Sequence, residues 1–354
     1  MINEAPRSVS RLPFDVAERG EQSVPCPLVS RGRPTYSSDA AFAKTGSRGG
    51  APSNGVSVAA TDEAPWIAVH PGVGPTKLLV SWAVGHGGSR PAVGRVPSAY
   101  VIETSASSTS GRDGVWRREL SVESNTASAR VHVIEFDGQS WVRLTLPAEL
   151  VGSALPFDQL DLHDASNGTD DCWLALGDAR LGALARGPSA SDGGELCWAE
   201  LVHERYPGYF PALVDESRVD ESPERTLGRL SELLATHSPA SRVAIAYGAA
   251  SIQSIDADAA ALDAMVAAVL QGGRLPVLAR SPAMRVRARE SVDAFNRCIA
   301  TLERRHGLVP GPDLAAWFDA HPDQLDGEGQ PSVEGRRAIA RLWADAVDVW
   351  YVPQ

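Results

Sequence analysis

The sequence predicts a three-layer α/β domain preceded by an all-β sandwich. Residues 76–146 contain short segments rich in β-branched and aromatic residues, with no helical pattern between them. After about residue 161, short apolar runs alternate with helical patterns, which is typical of a parallel sheet covered by helices on both faces. The chain has 354 residues, 43% of them hydrophobic, which is enough for two cores. We therefore predict an irregular tail over 1–27, a β-sandwich over 28–150 and an α/β domain over 160–354.

The first region contains five predicted strands separated by Gly, Ser, Asp and Asn. The last two are joined through Asp137, Gly138 and Gln139, which are typical of a hairpin turn. Strands at this spacing, without helices between them, indicate a sandwich. The predicted strands are 76–84, 99–105, 115–122, 129–136 and 141–146.

The second region combines buried strands with helices that have clear start and stop signals. Ser222 before Pro223 predicts a helix start, since a serine side chain caps the first turn and proline fits the first helical position. Gly272 and Gly307 predict two helix ends, and Ser332 predicts the start of the last helix. The predicted strands are 173–177, 242–248 and 275–280.

Composition narrows the class of protein. A net charge of -11 argues against nucleic acid as a partner, since that binding depends on clustered Lys and Arg. The four cysteines are widely spaced, which predicts reduced thiols and no metal site, and we expect no cofactor. No run approaches the roughly 20 apolar residues of a membrane span, so no membrane is expected as a partner. The first 25 residues lack the apolar core of a signal peptide, so a cytoplasmic location is expected.

The strand at 173–177 ends in a sharp turn formed by Gly177 and Asp178, and Ala179 follows. This pattern resembles the SGNH/GDSL esterases and acyltransferases, which place a nucleophilic serine after Gly-Asp. The resemblance implies a flavodoxin-like parallel sheet. It does not imply the usual reaction, because the methyl group of Ala179 cannot attack a carbonyl.

The resemblance extends over most of the chain. The first region is similar to discoidin-like (galactose-binding-like) sandwiches, which implies either carbohydrate binding or a docking domain without a ligand. The stretches that carry this similarity are 30–35, 65–69, 98–105, 113–116 and 141–144. The second region follows the order of SGNH landmarks in two-domain members of that superfamily. Its matching stretches are 164–168, 177–178, 206–211, 243–248, 311–314 with 317–318, and 330–332 with Gly335.

The resemblance also places the catalytic groups of the family, which are absent at their expected positions. The mechanism needs a serine, a histidine that takes its proton, an aspartate and oxyanion donors. The positions implied for serine, asparagine and histidine hold Ala179, Ala250 and Gln330. The aspartate position holds Gly327, and the segment 216–220 offers no glycine for the oxyanion. The resemblance therefore implies a catalytically degenerate member.

Two residues are weighed as replacements. Asp319-Ala320-His321-Pro322 is similar to the Asp-x-x-His-Pro of the family but is one residue short, so His321 is a candidate base. Ser251 either faces the pocket or is a polar residue of a strand-to-helix turn. The full candidate pocket consists of Asp178, Ala179, Arg180, Arg218, Asp220, Ala250, Ser251, Glu328 and Gln330.

Three functions are compatible with these residues. The leading interpretation is a cleft that performs non-hydrolytic chemistry, such as a cyclisation, elimination or rearrangement in polyketide or other secondary metabolism. The alternative is a non-catalytic pseudoenzyme that binds a ligand or carbohydrate. A second alternative is an esterase or acyltransferase with an unrecognised nucleophile. In each case the expected partner is a small molecule, whether acylated, polyketide-like or glycosylated.

Overall fold

The computed structural model describes residues 22–38, 64–84, 96–146, 157–179, 181, 197–249, 251–252, 254–283, 289–326 and 330–352. Within these ranges the N-terminal half is antiparallel β-structure and the C-terminal half is α/β. The division agrees with the order of fold classes that the sequence predicts.

The described N-terminal half forms two antiparallel sheets, which suggests the predicted sandwich. One has the strand order β1-β2-β7-β4-β5 and the other has the order β6-β3-β8. Strands β3 to β7 lie where the sequence predicts strands, whereas β1, β2 and β8 were not among the predicted ones. The strands are β1 (Thr35–Ser37), β2 (Trp66–Val69), β3 (Lys77–Val84), β4 (Tyr100–Ser105), β5 (Arg117–Val122), β6 (Ala129–Glu135), β7 (Trp141–Thr145) and β8 (Phe157–Asp164).

The two antiparallel sheets enclose one core. Alternate residues of β3, namely Leu78, Val80 and Trp82, point into it, as do Val142 and Leu144 of β7. This period of two follows from the pleat of a strand, which sends successive side chains to opposite faces.

The C-terminal half is a four-stranded parallel sheet with the order β10-β9-β11-β12. This confirms the predicted α/β class. Ser222 caps α2 and Ser332 caps α6, each by accepting a backbone hydrogen bond from the first turn, and Gly272 follows α3. The strands are β9 (Cys172–Gly177), β10 (Ala212–Asp215), β11 (Arg242–Ala246) and β12 (Leu275–Leu278). The helices are α1 (Trp198–Arg205), α2 (Pro223–Thr236), α3 (Ile255–Gln271), α4 (Arg289–His306), α5 (Leu314–Ala320) and α6 (Val333–Val347).

Helices cover both faces of the parallel sheet and create three layers. On one face, Leu174 of β9 packs in a cluster with Leu230 of α2 and Met265 of α3. On the other face, Trp173 packs in a cluster with Trp198 of α1 and Trp343 of α6. Because both faces of β9 are covered, its sequence is a continuous apolar run rather than an alternating one.

The two halves share apolar contacts. Leu79 of β3 and Val131 of β6 belong to the same buried cluster as Leu174 and Val214 of the parallel sheet. Strand β8 spans the predicted start of the second domain at residue 160 and pairs with β3. The domain limits themselves stay predictions.

No helix in the described part of the chain combines the length and hydropathy needed to cross a membrane.

Candidate functional site

Gly177 fixes the end of β9 at the carboxyl edge of the parallel sheet, immediately before Asp178 and Ala179. Its φ is +109°, a conformation that side chains rarely adopt. A Cβ atom at this position would lie 2.0 Å from the carbonyl oxygen of Ala246 on β11. The two strands therefore approach more closely than any residue except glycine at position 177 would allow. The chain then turns, so that Asp178 and Ala179 lie at this edge.

Asp178 and Ser251 are brought together, as two members of the predicted pocket. The Ser251 hydroxyl donates a hydrogen bond of 2.8 Å to Oδ2 of Asp178, and both side chains are fully buried. The Asp178 N–H donates to the Ala246 carbonyl (2.8 Å), and the Ser251 N–H donates to the Gly248 carbonyl (3.0 Å). The carboxylate thus ties the turn after β9 to the turn after β11.

The amide of Ala179 is engaged within the protein. Its N–H donates to the carbonyl of Arg218 (3.3 Å), and the Arg218 N–H donates to the carbonyl of Gly177 (2.9 Å). These two bonds form a parallel bridge that extends the pairing of β9 with β10. In an acyl-transfer site the amide at this position is one of the donors to the oxyanion. Here it is bonded to the chain's own backbone.

Arg218 and Asp220 belong to a loop beside Ala179. The Arg218 side chain is half-exposed, and its guanidinium lies 4.0 Å from Oε1 of Glu221. Asp220 is exposed and has a φ of +56°, in the left-handed region. Aspartate tolerates this conformation better than most residues do.

Residues of this loop also belong to a buried ionic cluster that no pattern in the sequence predicts. Arg229 of α2 donates to both carboxylate oxygens of Glu221 (2.7 and 2.6 Å) and to the carbonyl of Glu216. His237 Nε2 lies 3.3 Å from the Glu216 carboxylate. Burial disfavours the charge on Glu216, but the hydrogen bond from His237 and the charges of His237 and Arg229 outweigh it and lower its pKa. No spacing signal in the sequence distinguishes these residues from surface charges.

Gln330 lies in a tight turn before α6. Its N–H donates to Oδ1 of Asp326 (2.8 Å), and its carbonyl accepts from the Asp326 N–H (2.8 Å). An antiparallel bridge between Leu325 and Pro331 closes the turn. The described contacts of Gln330 are those of a turn residue.

His321 ends α5 and stacks on Trp317 of the same helix. The ring centroids are 4.1 Å apart, and Nδ1 lies 3.0 Å from the Trp317 carbonyl oxygen. Both of these contacts of the His321 side chain are with Trp317, within its own helix.

Three members of the predicted pocket, Arg180, Ala250 and Glu328, lie outside the described residues. In the part of the chain that is described, no group of three or more His, Cys, Asp or Glu could hold a metal ion. Among the described members of the predicted pocket, the structure joins Asp178 to Ser251 and Ala179 to Arg218, and the pocket as a whole stays a prediction.

Comparison with known proteins gives matches only among solved structures. No protein-family model matches the chain, and no curated protein matches it. About half of the chain is similar in structure to GDSL/SGNH hydrolases, and three of them illustrate the level of similarity.

A lipolytic protein of the G-D-S-L family from Desulfitobacterium hafniense is 16% identical, with a TM-score of 0.40 over 50% of this chain and 99% of that one. The psychrotrophic esterase EstA from Pseudoalteromonas is 18% identical, with a TM-score of 0.42 over 51% and 98%. The acetyl xylan esterase Axe2 from Geobacillus stearothermophilus is 17% identical, with a TM-score of 0.43 over 52% and 97%. Similarity at this level assigns no activity, substrate or site residue to this chain.

Proposed function

We propose that this protein is a degenerate SGNH-hydrolase-like protein that binds a small-molecule ligand at the carboxyl edge of its parallel sheet without serine-type acyl transfer. The observation that carries the proposal is Ala179, which follows Gly177 and Asp178 at the end of β9 and has its amide bonded to Arg218. The ligand is an acylated, polyketide-like or glycosylated small molecule.

Acyl transfer requires a nucleophile, a base and donors to the oxyanion. Loss of the nucleophile alone leaves only about 10³–10⁴-fold catalysis over water in an otherwise complete site. In this chain the nucleophile position has a methyl group and the adjacent amide is engaged. The position that the family resemblance gives to the base is Gln330, whose amide side chain takes up no proton at neutral pH. These residues argue against serine-type hydrolysis at this edge.

Ser251 does not replace the missing serine. Its hydroxyl is fully buried and donates a hydrogen bond to Asp178, so its oxygen is not accessible and its described partner is a carboxylate rather than a histidine base. The pair is better explained as a tie between two turns, since a buried carboxylate needs hydrogen-bond donors.

The experiment that tests the absence of serine chemistry is intact mass spectrometry after incubation with a fluorophosphonate, together with hydrolysis of p-nitrophenyl acetate and butyrate. We expect no mass increase and no turnover above the rate of heat-denatured protein. A single stoichiometric adduct would contradict the proposal, and peptide mapping would then identify the nucleophile.

Binding itself is tested by the melting temperature in the presence of fatty acyl esters, polyketides and oligosaccharides. A ligand at 100 times its dissociation constant stabilises the folded state by about 2.7 kcal/mol, which such a measurement detects. The shift should weaken in Arg218→Ala, at the site, and persist in Arg305→Ala, whose ion pair with Asp263 is exposed. An equal loss of the shift in both variants would place the ligand elsewhere.

Non-hydrolytic chemistry is the second candidate, and the observation that favours it is Asp220. The backbone of Asp220 has a left-handed conformation, in the same loop as Arg218. Uncommon backbone conformations of this kind cluster at functional sites. Mass spectrometry of the bound ligand separates the two functions. A ligand recovered unchanged supports binding, whereas an isomerised or dehydrated product formed by the wild type and not by Asp220→Asn supports catalysis.

A further inference from the structure

The loop 216–221 closes the carboxyl edge beside Ala179 through its backbone. The Glu216 N–H donates to the Ala175 carbonyl (3.0 Å), so the loop continues the pairing of β10 with β9 beyond the last residue of the strand. Arg218 then accepts from Ala179 through its carbonyl, and the Glu221 N–H donates to the same oxygen (3.3 Å). The position of the Arg218 carbonyl thus decides whether the Ala179 N–H is hydrogen-bonded within the protein or available to a ligand.

A single side chain, Arg229, holds both ends of this loop. At the far end it forms a two-pronged pair with the carboxylate of Glu221, and at the near end it contacts the carbonyl and the carboxylate of Glu216. The guanidinium group suits this task because its fixed fork of donors binds a carboxylate through two parallel bonds.

The group formed by Arg229, Glu216 and Glu221, which we call the clamp, is buried. Burial determines which way the loop would move if Arg229 were lost. The side chains of Arg229, Glu216 and Glu221 are 13%, 5% and 4% exposed. Without Arg229, two buried carboxylates would face each other, with the Arg218 guanidinium 4.0 Å from Glu221 and the His237 ring 3.3 Å from Glu216 as described neighbours. Like charges in a site of low polarity repel strongly, so the loop would move toward solvent.

We infer that Arg229 is a positioning residue that clamps loop 216–221 against the end of β9 and so keeps the Ala179 amide closed to a ligand. Recognition of the ligand then falls to side chains at this edge rather than to a backbone oxyanion site. The inference deepens the proposed function and rests on it for the location of the ligand. The effect of Arg229 on the loop is measured without any ligand.

The test is amide hydrogen exchange of the full chain, resolved at Ala179 and Arg218, in wild type and in Arg229→Gln. We expect exchange at these two amides to accelerate by about tenfold or more, because local opening sets their protection. The amide of Ala279, which donates to the Ile245 carbonyl on the other side of the sheet, should keep its wild-type rate. In Arg229→Lys, the exchange rates of Ala179 and Arg218 should lie between those of wild type and Arg229→Gln, since an ammonium group keeps the charge but lacks the fork of donors.

Two controls keep the result decisive. Arg305→Gln removes an exposed ion pair and should change none of these rates. If Arg229→Gln does not fold, Glu221→Gln removes the two-pronged half of the clamp and should accelerate the same two amides to a smaller extent. Unchanged exchange at Ala179 in the folded variants, or an equal acceleration at Ala279, would overturn the inference. Neither of these outcomes would affect the proposed absence of serine chemistry, which the fluorophosphonate experiment tests separately.

Discussion

Gly177 is the residue on which the geometry of the site depends. It lets β9 pass within contact distance of the Ala246 carbonyl, and the turn that follows presents Asp178 and Ala179. The requirement is steric and conformational together, because the close approach leaves no room for a Cβ atom and φ is positive.

We predict that Gly177→Ala destabilises the protein by roughly 2–5 kcal/mol, since the new methyl group meets a backbone oxygen that cannot move aside. Urea unfolding measures the loss. Gly208→Ala is the matched control, because Gly208 is exposed and no atom lies within 4 Å of the added Cβ. Equal stabilities of the two variants would mean that the strands can separate at this point without cost.

Ala179→Ser restores the hydroxyl at the nucleophile position, yet we predict that it recovers little esterase activity. A serine needs a base and oxyanion donors to act, and the losses of such groups are not additive. Hydrolysis of p-nitrophenyl butyrate by the single variant measures this. Robust activity would show that the last part of the chain supplies a base, and would contradict the placement of Gln330 at that position.

The site residues differ in how far the sequence revealed them. Asp178, Ala179 and Ser251 were singled out through the resemblance to the Gly-Asp-Ser turn and the asparagine position of the SGNH/GDSL hydrolases, and the structure joins Asp178 to Ser251. Arg229 and Glu216 were missed, since a charge in a helix and one in a loop are ordinarily solvent-exposed. Only the packing of α2 against the loop reveals that they are buried.

Among the elements, the loop between β4 and β5 shows how local hydrogen bonds build a fixed structure. The carboxylate of Asp113 accepts from the backbone N–H groups of Thr109 and Ser110 and from nearby hydroxyls. These bonds lower its pKa, because they favour the charged form. The loop packs Gly111 onto Ala68 and Trp141, on the face of the five-stranded sheet that points away from its main core.

Gly114 closes this loop, and we predict that Gly114→Ala is more destabilising than Gly138→Ala. Both glycines have positive φ, so both variants incur a conformational cost of about 1–2 kcal/mol. Only at Gly114 does the added Cβ also meet the backbone, 2.7 Å from the Ser108 nitrogen, whereas nothing lies within 4 Å at Gly138. Thermal unfolding of the two variants measures the difference. Equal effects would show that the loop adapts.

The elements were predicted where a local pattern specifies them. Strands β3 to β7 show the alternation or β-branched content of their class, and α2 and α6 have serine caps. Strand β10 was missed because its four residues follow a proline and are too short to show a period. Its place at the edge of the sheet comes from pairing with β9, which is a tertiary contact.

At the scale of the whole molecule, the two ends of the described chain meet near Asp171, at the opposite edge of the parallel sheet. Its fully buried carboxylate accepts from the Tyr351 hydroxyl (2.6 Å) and the Trp173 indole (3.1 Å), with Arg242 3.5 Å away. The backbone N–H of Ser23 donates to the carbonyl of Trp350, the residue before Tyr351 (2.8 Å). Burial raises the pKa of Asp171 to about 7, although the charge of Arg242 and the hydrogen bonds oppose the shift.

This pKa predicts a dependence of stability on pH with a definite sign. The pKa of Asp171 in the folded state lies above the ordinary 3.8, so the folded state holds the proton more tightly than the unfolded state does. The proton therefore stabilises the folded state at low pH, and this stabilisation is lost as pH rises through about 7. Relative to Asp171→Asn, the wild type should lose roughly 2–3 kcal/mol between pH 5 and pH 8. Urea unfolding at both pH values measures it. A pH-independent difference would mean that Asp171 is ionised throughout.

The three-stranded sheet β6-β3-β8 has an apolar surface on both of its faces, one toward the five-stranded sheet and one toward the α/β half. This sheet therefore contributes side chains to the apolar cores of both halves. If the chain were divided after β8, Leu79 and Val131 would be left without their neighbours in the parallel half, and Leu174 and Val214 would lose theirs. We therefore expect the folding of the two halves to be coupled, so that a destabilising change in the N-terminal half lowers the population of the folded C-terminal half.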